Sequence, residues 1–97
     1  MDWKALVSIL VPIVLGSIPK VPKGLIPVIT DGIQAAESFG STGAQKKAQV
    51  MTIAQDALAG GHIIKPDANL KDADVLGAVD KGIDTAVHVV NILKDQQ

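Results

Sequence analysis

The chain contains no cysteine, no arginine and no tyrosine, and only one phenylalanine and one tryptophan. Without cysteine there are no disulfides, no thiolate nucleophile and no zinc–thiolate site. Without arginine there is no guanidinium fork to grip a phosphate or a guanine edge in two places. All nine basic residues are lysines and the formal net charge is −1. With no aromatic platform for bases to stack on, the sequence predicts no nucleic-acid partner. Aromatic side chains also build most small-molecule pockets. Their scarcity points to thin, closely packed helices, with no enzymatic activity, no small-molecule substrate and no cofactor.

What is present is aliphatic. Hydrophobic residues are 47% of the 97, mostly Ala, Val, Ile and Leu, and the mean hydropathy is +0.32. A chain of this length makes one domain and buries roughly 60–70% of the surface its unfolded form exposes. Charge is unevenly spread. Residues 1–23 carry Asp2 against Lys4, Lys20 and Lys23, whereas residues 66–97 carry six aspartates against Lys71, Lys81 and Lys94.

The segment Ala5–Ile18 holds fourteen consecutive uncharged residues. It reads as a helix from a cap at Asp2, apolar on every side rather than on one stripe. As a helix it spans about 21 Å, short of a hydrocarbon core of about 30 Å. Pro12 interrupts it near the centre, while Trp3, Lys4, Lys20 and Lys23 could sit at headgroup level. Three environments fit: a membrane, an assembly with other protein, or the core of this chain, and burial in an assembly is the favoured one. Pro19, Pro22 and Pro27 then make residues 16–24 an extended or turn-rich connector.

Beyond the connector, three helices are predicted. Pro27 to Phe39 places Ile29, Ile33, Ala36 and Phe39 at helical spacing, with Asp31, Gln34 and Glu37 elsewhere. Gly40 is a suitable stop. Thr42 and Gln45 form a capping-box pattern for a helix whose face runs Ala44, Ala48, Met51, Ala54 or Gln55, and Leu58. A loop follows Gly60–Gly61, with room for one extended pair at Ile63–Ile64. Asp72 or Asp74 then caps a helix about 30 Å long. Its seam is Leu76, Val79, Ile83, Ala86, Val90 and Leu93, and Asp80, Asp84, His88, Asn91 and Asp95 lie opposite. The expected architecture is all-α. A hydrophobic N-terminal helix or arm and its proline-rich elbow occupy residues 1–23, and a small three-helix bundle occupies residues 24–97.

Candidate chemistry is thin. Asp80, Asp84 and His88 share a face at i, i+4, i+8 and could hold a metal with help from another chain. Their place opposite the seam reads more simply as a solvated face, so no metal site is assigned. His62 follows two glycines in a loop and is given no role. No serine has a nearby His–Asp partner, and "GSTGAQKK" lacks the spacing of a phosphate loop. The adjacent Lys46 and Lys47 read as solvated.

The stretch "DGIQAAESFGSTGAQKKAQVMTIAQDAL", followed by "IDTAVHVVNIL", resembles the pattern of small holins of the LL-H type from tailed phages. Ala35, Ala36, Glu37, Gly43, Lys46, Lys47, Val50, Ile83, Val87 and Asn91 carry the resemblance, over roughly residues 28–93. It implies a helical phage protein. Family members carry an N-terminal transmembrane helix, where this chain has the short segment broken by Pro12. The functional expectation is therefore a non-enzymatic, self-assembling minor component of a tailed-phage virion, with copies of itself and other phage structural proteins as partners. The alternatives are a holin-like protein oligomerising in the host inner membrane, and a soluble helical adaptor. The expected oligomer or membrane interface is Leu6, Ile9, Leu10, Ile13 and Val14 on the arm, with Leu76, Val79, Ile83, Val90 and Leu93 on the last helix. If residues 1–23 are an assembly arm, their deletion should leave a soluble, helical species.

Overall fold

A computed structural model describes residues 3–38, 43–61, 63–67 and 69–95. These residues form four helices: α1 (Trp3–Gly16), α2 (Leu25–Ser38), α3 (Gly43–Ala59) and α4 (Asp72–Asp95). They contain no strand. Each helix packs on two neighbours: α1 on α2 and α4, α2 on α3, and α3 on α4. The result is a closed ring of four staves, 43 × 23 × 18 Å overall. Short connections force neighbours to run antiparallel. Cross-contacts agree, since Gln34 near the end of α2 donates to Ser8 near the start of α1, 2.6 Å away.

The expectation of an arm plus a three-helix unit is corrected here. α1 is one stave of the ring. Val7, Val11 and Leu15, spaced by four, are each fully buried and join one cluster with Leu25, Ile29, Ile33, Val79, Ile83 and Val90. The close approach depends on α4. A Cβ placed on Gly82 would lie 2.7 Å from Leu15 Cδ2 and 3.0 Å from Ile18 Cδ1. Ala78 and Ala86, one turn to either side, are also small and buried. An apolar helix thus finds in the bundle a partner cut to admit it. Pro12 lies inside α1 and cannot donate to the carbonyl of Ser8, yet the helix continues, because tertiary packing outweighs a defect of about 3 kcal/mol.

Residues 17–24 fold under one end of the ring as linked turns rather than extended chain. Ile18 donates to the carbonyl of Leu15, Val21 to that of Ile18, and Leu25 to that of Pro22. Val21 and Pro22 are buried and close off that end of the core. α2 starts two residues before Pro27 and buries Ile29, Ile33 and Ala36 as the spacing predicts. Phe39, Gly40 and Thr42 lie outside the described residues. α3 turns differently from expectation. Val50 and Ala54 are fully buried, Met51 and Leu58 half-buried, and Ala44 and Ala48 exposed. α4 begins with the Asp74 carboxylate accepting from the Lys71 backbone N–H at 3.2 Å, an acidic group well placed against the helix dipole. At 24 residues it spans about 36 Å, longer than its seam alone implies.

Candidate functional site: the outer face of the first helix

α1 has two apolar stripes, and only one of them is used. The stripe of Val7, Val11 and Leu15 faces the core. The other contains Ile9, 53% exposed, and Ile13, 63% exposed. Leu6, Leu10 and Val14 are half-buried between the two stripes. Of the five arm residues expected at an interface, Ile9 and Ile13 are therefore open, and the other three sit at the edges of that face. From Ala5 to Gly16 the face carries no charged group. The solvent sides of the other helices do: Asp31 on α2, Asp56 on α3, and Lys81 and Asp84 on α4 are all exposed.

The predicted interface on α4 is placed elsewhere. Val79, Ile83 and Val90 are fully buried within the chain, so they are occupied by α1 and its neighbours in the cluster. Leu76 and Leu93 are half-buried. The seam is real, and it serves the chain's own core.

Two lysines read as solvated from sequence are structural ties. Lys46 Nζ lies 2.7 Å from Glu37 Oε1, joining the start of α3 to the end of α2. The Glu37 side chain is fully buried and that of Lys46 only 13% exposed. Glu37 is the sole glutamate of the chain, and α2 places it on the inner side. Lys47 is paired with Asp80 and reaches Asp84 Oδ2 at 3.1 Å, so it clamps α3 to α4. Hydrogen bonds to Asp80 and then to Asp84 hold its ammonium above the usual 10.5. Lys47 reaches its partners across 33 or more positions of sequence, and Lys46 reaches Glu37 across the connection between two helices; helical periodicity carries neither signal.

The carboxylates of Asp80 and Asp84 are thus engaged by an ammonium, while His88 is exposed. No cluster of three metal-ligating side chains occurs among the described residues, and His62 lies outside them. Among the described residues, no helix is long and apolar enough to cross a membrane. Compared with family models, with curated proteins and with solved structures, the chain has no match.

Proposed function

We propose that this protein is a non-enzymatic assembly module that associates through the outer face of α1. The observation that carries this reading is the pair of exposed isoleucines, Ile9 and Ile13, on a helix face with no charge. An uncharged face is desolvated at low cost by another uncharged face and at higher cost by a charged one. α1 of a second copy meets that requirement, and a two-fold related pairing of the two faces is self-complementary. The resemblance of residues 28–93 to small phage holins supports a setting in a tailed-phage virion, as a minor structural component beside other phage proteins.

The same uncharged helix supports a second reading, holin-like oligomerisation in the host inner membrane. In that reading α1 leaves the ring and exposes its Val7–Val11–Leu15 stripe to lipid. Two measurements separate the readings. For the assembly module, sedimentation velocity of the full chain shows an oligomer, which Ile9→Glu with Ile13→Glu converts to a folded monomer. For the holin-like protein, membranes from expressing cells retain the chain through a carbonate wash. A monomer at all concentrations that leaves carbonate-washed membranes clean would defeat both.

A further inference from the structure

The proline elbow and the loop after α3 enclose a groove of about 880 Å³ at one end of the ring. Ile18, Val21, Ile26 and Ile64 supply its apolar surface. Ile64 is 86% exposed, the most open of the large apolar side chains among the described residues. Pro19, Pro27 and Pro66 also line it. A proline has no N–H, so these stretches of wall offer no backbone donors. None of the lining residues is acidic, and two are lysines, Lys23 and Lys65. Lys65 is already committed, 2.6 Å from Asp72 and 3.1 Å from the Leu70 carbonyl oxygen. Lys23 is exposed and makes no ion pair with a described residue.

We infer that this groove binds an anionic amphiphile, with the apolar chain along the isoleucine walls and the carboxylate or phosphate head at Lys23. The volume lies within the range of small-ligand sites, and a few polar groups on apolar walls is their usual make-up. The walls favour this occupant over a peptide. A β-extended peptide needs a strand edge to pair with and a polyproline-type peptide an aromatic-lined groove; the described residues have no strand and the lining no aromatic side chain. A docked helix, about 10 Å across, needs a trough several turns long, whereas this groove is framed by two loops and helix ends. Lysine suits a single-headed anion because it offers a compact point charge rather than a fork.

The test uses the full chain and dodecanoate below its micellar concentration, followed by calorimetry and by amide shifts. Saturable binding is expected, with shifts confined to the elbow and residues 63–67, and dodecyltrimethylammonium should not compete. Lys23→Glu should weaken binding roughly fivefold or more, the scale of losing one exposed charge contact and adding a repulsive one. Gly16→Trp should abolish it by filling the groove. A Cβ at Gly16 comes no closer than 4.0 Å to Ile26 Cδ1, so the backbone admits the side chain. Ile64→Asp, at an exposed position, should weaken binding while leaving the helical signal and melting temperature unchanged. Binding that survives all three substitutions overturns the assignment. So does co-sedimentation with phosphatidylglycerol vesicles without saturable binding of monomeric dodecanoate, since that outcome describes a surface patch rather than a groove.

Discussion

Two glycines five residues apart in α4, Gly77 and Gly82, have opposite meanings. At Gly82 a methyl group would press on Leu15 and Ile18. Overpacking of this kind costs about 1–3 kcal/mol, and the helix-propensity gain of replacing glycine recovers about 1 kcal/mol. Gly82→Ala is therefore expected to lower stability by about 1 kcal/mol. At Gly77 nothing lies within 4 Å of the added atom, and the position is exposed. Gly77→Ala is expected to raise stability by about 0.5–1 kcal/mol. Urea denaturation of the two variants checks both signs, and equal effects would mean that α1 does not rest on α4 at Gly82. Glu37 belongs to this scale too. A fully buried carboxylate is tolerated only with a close cation and good hydrogen bonding, and Lys46 provides the cation.

Among the elements, α3 has the fewest fully buried apolar residues, Val50 and Ala54. Its lysines therefore matter more to its placement. Lys47 has a folded pKa raised above 10.5. Its contribution is complete below that ordinary value and is lost as pH rises through the raised one. The stability difference between wild type and Lys47→Met should hold steady from neutral pH to about pH 9, then shrink at higher pH. Parallel denaturation curves across that range measure it, and a difference that persists well above the raised pKa would show that the clamp acts through packing alone. What was legible in sequence divides along similar lines. α2 was readable because Ile29, Ile33 and Ala36 mark one face among polar neighbours. From Ala5 to the end of α1 every position is apolar or small, so nothing set the phase, and the core stripe of Val7, Val11 and Leu15 stayed hidden among equals. α4 was readable as a seam but not as to what covers it. The face of α3 was misjudged because two lysines, usually solvated, turn inward to partners on α2 and α4 and carry Ala44 and Ala48 outward.

For the whole molecule, the ring has no spare stave. α1 contributes Val7, Val11 and Leu15 to the single cluster, and the elbow contributes Val21 and Pro22 to its closed end. Deleting residues 1–23 should unfold the chain rather than leave a smaller helical species, the opposite of what an independent arm would do. Circular dichroism and a thermal scan of the truncated chain decide this. A cooperative melt would restore the arm. Ile9→Glu with Ile13→Glu, by contrast, changes only exposed positions and should keep the fold within about 0.5 kcal/mol of wild type. The two ties of α3 differ in one further respect. The Lys46–Glu37 pair is shielded from solvent, whereas the Lys47 clamp is open to it, with side chains 37–62% exposed. Dissolved ions screen open charges over about 3 Å at 1 M and shielded ones far less. Ionic strength therefore works on the ring unevenly: brine loosens the joint between α3 and α4 and spares the one between α2 and α3, so the bundle opens along a fixed line, like a book along its fore-edge.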